Sequence, residues 1–144
     1  MGVLTDYFAA GDDEAAKNVL QNGPRVAGLP TIEANALDPV VTMATLEQIL
    51  VGTDAMIIID DSRDAIIAQA GKDGPWVASI RSSLVAGLGI PDAAKLLAAA
   101  RQWAITEELS DSDPQVLYEF LWNLAHLAQW ALANKQRVYC WMSP

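Results

Sequence analysis

Cysteine and histidine are nearly absent: the 144-residue chain holds one of each, Cys140 and His126. One cysteine excludes an internal disulfide, and one of each excludes a tetrahedral Cys/His zinc site. Basic residues are scarce, nine Lys and Arg against eighteen Asp and Glu, giving a net charge of -9. That balance argues against nucleic-acid binding, which needs Lys and Arg to neutralise phosphate. Long apolar runs are missing too. The longest uncharged stretch worth testing, Phe120 to Asn134, is interrupted by Asn123, His126 and Gln129. It falls short of the roughly 18–20 apolar residues a membrane span needs. Met1 to Tyr7 has no basic or apolar signal-peptide region, and Asp6 stands where a myristoylation signal has Ser or Thr. Together with the free Cys140, these absences predict a cytoplasmic protein that does not engage membranes. No Gly-Lys-Ser/Thr phosphate loop occurs, and Gly87-Leu88-Gly89 lacks the third glycine of a dinucleotide fingerprint.

Hydrophobic residues make up 52% of the chain and charged residues 19%, a composition that folds rather than stays disordered. The length suits one globular domain, residues 1–144, with enough chain to bury a core. Val3 to Phe8 is β-capable, and a weak helix from Asp12 or Asp13 to about Leu20 follows, stopped by Gly23-Pro24. Residues 24–37 read as a loop with a short strand around Thr31 to Glu33. Asp38-Pro39 opens a helix as N-cap and first helical residue, with Val40, Met43, Leu46, Ile49 and Leu50 at helical spacing before Gly52.

Ala55 to Ile59 is apolar with β-branched weight, and Ala65 to Ala70 fits strand or helix equally. A turn at Lys72-Asp73-Gly74 leads to Pro75, where a third helix is expected from the i, i+4, i+8, i+12 spacing of Trp76, Ile80, Leu84 and Leu88. Pro91 opens a fourth, carrying Leu96, Leu97, Ala100 and Trp103. Asp113-Pro114 repeats the cap signal and starts the longest helix, to about Asn134. Arg137 to Met142 is β-like. The fold expected is helix-dominated α+β, with about five helices and a small sheet joining the N- and C-terminal strands.

On a helical wheel of the last helix, Leu117, Phe120, Leu121, Leu124, Leu127, Ala128 and Ala131 form the core face. Glu119, Asn123, His126 and Trp130 lie opposite, flanked by Tyr118, Trp122 and Gln129. Two readings of Trp122 and Trp130 stand. A second layer of the domain covers them, as large aromatics usually pack in cores. Or they form an exposed patch for a partner, since Trp and Tyr are enriched in binding hot spots. His126 lacks an obvious orienting partner for catalysis, because Glu119 and Asn123 need not touch it. Cys140 lies in the apolar run Val138-Tyr139-Cys140-Trp141, away from any helix N-terminus that would activate a thiol, and reads as buried and inert. Asp60-Asp61-Ser62-Arg63-Asp64 lacks the glycine and the closing glutamate of a calcium loop, because Ala65 and Gly71 stand at those positions. Glu107-Glu108 reads as a solvated helix end. No catalytic residue, metal or cofactor is assigned. From Gln102 to Asn134 there is no Lys or Arg, while Glu107, Glu108, Asp111, Asp113 and Glu119 are all present. Such a segment is either a solvated face or a device that steers a basic partner.

The start Met1-Gly2-Val3-Leu4 with Asp6-Tyr7-Phe8 belongs to a set of local motifs spread along the chain. The others are Leu37-Asp38-Pro39-Val40-Val41, Trp103 with Thr106-Glu107-Glu108, and Val138-Tyr139-Cys140-Trp141. In these the chain resembles a family of small uncharacterised bacterial cytoplasmic proteins, over most of its length and in order. The resemblance implies a single intracellular domain and brings no activity or residue role with it. By analogy, small acidic helix-rich proteins of this kind neutralise a basic partner, as toxin-immunity proteins do. The first expectation is therefore a non-catalytic acidic module that binds a basic protein through Trp122, His126, Trp130, Glu107, Glu108, Asp111 and Glu119. The alternatives are a small-molecule binder or an enzyme without a standard motif, and a structural or oligomerising domain.

Overall fold

A computed structural model describes residues 4–34, 37–90 and 92–144. Val3, expected to open the first strand, and Pro91, expected to open a helix, lie outside the described residues, as do Met1 and Gly2 of the first motif. The first strand, β1 (Leu4–Ala10), pairs antiparallel with the last, β5 (Arg137–Ser143), in the register Tyr7 opposite Cys140 and Phe8 opposite Tyr139. This is the expected joining of the chain's two ends. The sheet is larger than expected, however. With β2 (Thr31–Glu33), β3 (Ile66–Gln69) and β4 (Trp76–Ser79) it has, among the described residues, five antiparallel strands in the order β2-β1-β5-β4-β3.

Both faces of this sheet are covered, which is why Tyr7 to Ala10 of β1 and Val138 to Met142 of β5 read as continuous apolar runs rather than alternating ones. Tyr7, Ala9, Val138 and Cys140 point to one face, under α2 (Val41–Val51), α4 (Ser82–Leu88), α5 (Ala93–Ala104) and α6 (Pro114–Ala133). Phe8, Ala10, Val77, Tyr139 and Trp141 point to the other, where α1 (Asp13–Lys17) contributes Ala16 and the turn after it Val19. The buried tyrosine and tryptophan side chains each place their polar atom on a partner, as burial of such atoms requires. Tyr7 Oη donates to Leu37 O at 2.6 Å, Trp103 Nε1 to Thr42 O at 3.2 Å, Trp141 Nε1 to Leu20 O at 2.9 Å, and Tyr139 Oη to Asp13 Oδ1 at 2.7 Å.

The α+β reading holds, with six α-helices among the described residues instead of five. The additional one is α3 (Ala55–Asp61), formed by the β-branched run and capped by Asp54, whose carboxylate accepts from Met56 N at 2.9 Å. Helix α1 ends at Lys17, short of Leu20. The helix expected from Asp38-Pro39 opens later than predicted: its N-cap is Val40 and regular helix begins at Val41, while Asp38, two residues ahead of the cap, accepts from Val40 N at 2.9 Å, Val41 N at 2.7 Å and the Thr42 hydroxyl.

The helix expected from Pro75 is overturned over its first half. Residues 76–79 form β4, and only Ser82–Leu88 is helical. A spacing of four is a multiple of the strand period as well as close to the helical one, so Trp76 and Ile80 fit both. Long-range pairing decides between them. Val77 and Ala78 fill the slot between β3 and β5, opposite Trp141 and Cys140, and Ile80 N extends the ladder to Val138 O at 3.0 Å. Among the described residues no helix is long and apolar enough to cross a membrane.

Candidate functional site

Helix α6 positions the candidate side chains. Asp113 accepts from Gln115 N at 2.9 Å and Pro114 takes the first turn, so the sequence starts the helix where the cap signal predicts. Leu121 and Leu124 are 0% and 1% exposed, and the other expected core positions of α6 are buried with them. The register assigned from the wheel is therefore correct, and it settles the fate of the opposite side. Trp122 and Trp130 are 39% and 41% exposed, so among the described residues no second layer covers them.

These side chains are ordered along one ridge of the helix. Tyr118, Trp122, His126 and Trp130 recur every four residues, the spacing at which helical neighbours touch. The Tyr118 and Trp122 rings lie 6.4 Å apart and the Trp122 and His126 rings 4.5 Å apart. His126 Nδ1 donates to Trp122 O at 2.8 Å; a carbonyl only accepts, so this bond places a proton on Nδ1. No carboxylate, hydroxyl or thiol hydrogen-bonds to the ring among the described residues. A shallow depression of about 320 Å³ lies beside the ridge, lined by Tyr118, Glu119, Trp122 and Asn123.

The acidic candidates are not all brought to this ridge. Glu119 borders it directly. Glu107 and Glu108 are exposed on a 3-10 turn (Glu107–Leu109), and Asp111 is exposed just beyond it. All three precede the amino end of α6, while Trp130 lies about 24 Å further along the axis at 1.5 Å per residue. The charge therefore sits at one end of the aromatic ridge rather than around it. Beside this end, a groove of about 740 Å³ separates β2 from the amino half of α6. Glu119 and Asn123 line both groove and depression, which makes the two features continuous.

Cys140 is fully buried, and it is the thiol's desolvation above all that pushes its pKa well up, with the Asp38 and Asp6 carboxylates adding and a hydrogen bond with Tyr7 opposing. A thiol held neutral is a poor nucleophile. The native protein should thus react slowly with a thiol reagent at neutral pH and rapidly once denatured. A fast native reaction in a stopped-flow assay would restore Cys140 as a nucleophile. In the acidic turn, Asp60 pairs with Arg63 at 2.7 Å and Asp61 with Arg81 at 3.5 Å. Among the described residues no group of three or more His, Cys, Asp or Glu could hold a metal ion.

Sequence reasoning missed Glu47. It is 1% exposed, takes hydrogen bonds from Arg81 Nε at 3.0 and 3.2 Å, and takes another from Ser83 Oγ at 2.9 Å. The available signal was its position four residues after Met43 and three before Leu50, an acid on the apolar side of α2. No family model matches the chain, and neither a curated protein nor a solved structure matches it.

Proposed function

We propose that this protein is a non-catalytic interaction module, of the toxin-immunity type, that binds a basic protein partner along the outer face of α6. The observation that carries the reading is the exposed ridge of Trp122, His126 and Trp130, with half-buried Tyr118 at its amino end, on a helix whose opposite face is fully packed. Large rigid rings left half in water lose little conformational entropy on binding and offer much apolar area. The net charge of -9, with Glu107, Glu108, Asp111 and Glu119 at one end of the ridge, selects for a partner of opposite sign.

The two parts of this surface should separate kinetically. Trp122→Ala or Trp130→Ala should raise the dissociation rate of a partner captured from the native cell, by about tenfold or more for a hot-spot ring. Replacing Glu107, Glu108 and Asp111 with Ser should slow association and flatten its salt dependence, with little change in dissociation. Both are read in surface-binding kinetics at low and moderate salt. A captured partner indifferent to both tryptophans, or one that is itself acidic, would overturn the reading.

The small-molecule reading draws on the groove between β2 and α6, whose volume lies in the range of ligand sites. It predicts a gain in thermal stability from some member of a metabolite screen, with the tryptophan variants unaffected in any partner binding.

A further inference from the structure

Among the described residues, the edge of the sheet beside α6 is open. Strand β2 is the end strand, and its register with β1 places Ile32 opposite Tyr7. Ala9 N donates to Pro30 O at 3.1 Å and Ala34 N to Thr5 O at 2.9 Å. Bonded residues alternate along an antiparallel pair, so residues 30, 32 and 34 face β1. Thr31 and Glu33 therefore turn their backbone N–H and C=O groups outward, into the groove. The opposite edge, β3, is interrupted by a bulge between Ile66 and Ala68, a feature that discourages further pairing.

The two sides of the groove differ in chemistry. Ile32 packs against the helix-side core, and Val116 and Phe120 of α6 line the groove on that side. On the other side stands Glu33. Among the described residues Arg25 is the one basic residue of the groove lining, and it is already drawn to Asp6 at 3.5 Å and Glu33 at 3.4 Å. Asp113 and Glu119 add two further carboxylates, so the groove is acidic overall. A second copy of this chain would bring like charges together there. A basic segment would not.

We infer that the groove takes an extended, basic segment of the partner protein, added to the sheet as a sixth strand against β2. Residues of that segment opposite Thr31 and Glu33 are basic and meet Glu33. Those opposite Ile32 are apolar and meet Val116, because directly opposed residues share a face of the sheet. The backbone supplies affinity and the alternation supplies selectivity. The inference rests on the interaction reading above and names the mode of contact at the acidic end of the same surface.

The probe is a short synthetic peptide alternating lysine with valine, added to the intact protein. Binding should slow hydrogen exchange at the Thr31 and Glu33 amides, read by NMR. Methylating the backbone nitrogens of the lysines, which face β2, should weaken binding by about tenfold through two lost hydrogen bonds. Methylating those of the valines should leave it unchanged. Equal effects of the two methylations, binding without protection of Thr31 and Glu33, or no binding would each overturn the inference. Thr31→Pro removes one outward N–H without touching a bond to β1, and should weaken the peptide similarly; were it to unfold, the amide readout in the unaltered protein still decides. Peptide binding should survive Trp122→Ala with Trp130→Ala. If the native partner needs those tryptophans but ignores Thr31→Pro, the strand-addition inference falls and the interaction reading stands. If the native partner ignores the tryptophans, that reading falls, and the amide protection still decides the groove.

Discussion

Trp103→Ala should destabilise the protein by about 3–5 kcal/mol, the range for emptying a large buried aromatic site. Trp103 is fully buried and is the largest side chain to be so. It sits on α5 where that helix meets α2 and α6: its ring centroid lies 6.2 Å from that of Phe120, and its Nε1 donates to Thr42 O at 3.2 Å. Alanine would therefore remove the packing between three helices at once and leave a cavity that rigid helices cannot close. Trp103→Phe separates the contributions. It keeps most of the apolar volume and loses the donor, so it should cost about 1–2 kcal/mol. Denaturant unfolding with an unchanged slope measures both. A loss below about 1 kcal/mol for the alanine variant would mean the three-helix junction collapses around the gap, and that this core is far softer than its burial indicates.

Local chemistry made much of this fold legible, and long-range chemistry hid the remainder. Asp113-Pro114 and Gly52 mark helix ends through capping bonds formed within a turn, and the structure keeps both, while Asp38 bonds the first turn of α2 from two residues ahead of its N-cap. The faces of α6 could be read because twenty residues sample the helical period many times over. Shorter segments offered no such statistics. Ala55 to Ile59 holds too few residues to distinguish a half-exposed helix from a strand, and Met56 and Ile57 are in fact largely exposed on α3. Trp76 and Ile80 satisfied two periods, and only the vacancy beside β5 chose between them. The candidate site was half legible for a related reason. Periodicity says which side of α6 carries Trp122 and Trp130, but whether another layer covers that side depends on where every other element goes. The β2 edge was wholly illegible, since the sequence shows a strand at Thr31 to Glu33 but not that it ends the sheet.

The Glu47–Arg81 pair gives the second large effect, and the effect should be asymmetric. Glu47 is 1% exposed, whereas the Arg81 side chain is 31% exposed and also reaches Asp61 at 3.5 Å. Removing Arg81 leaves a buried carboxylate whose remaining hydrogen-bond donor is Ser83 Oγ at 2.9 Å. Stranding a buried charge in this way costs about 3–5 kcal/mol, so Arg81→Met should lose stability in that range. Removing Glu47 instead leaves a guanidinium that water already reaches and that Asp61 still attracts. Glu47→Leu should therefore lose clearly less, about 1 kcal/mol, since solvent screens what remains. The double variant should recover most of the deficit of Arg81→Met, because neither charge is then buried alone. A double-mutant cycle by denaturant unfolding gives the coupling directly. The pair joins α2 to the turn between β4 and α4, residues 34 positions apart, so the cycle also tests whether that junction is held by charge or by packing. If the two single variants lose equally, or if the double variant is worse than Arg81→Met, then packing by the Arg81 stem rather than its charge holds the junction.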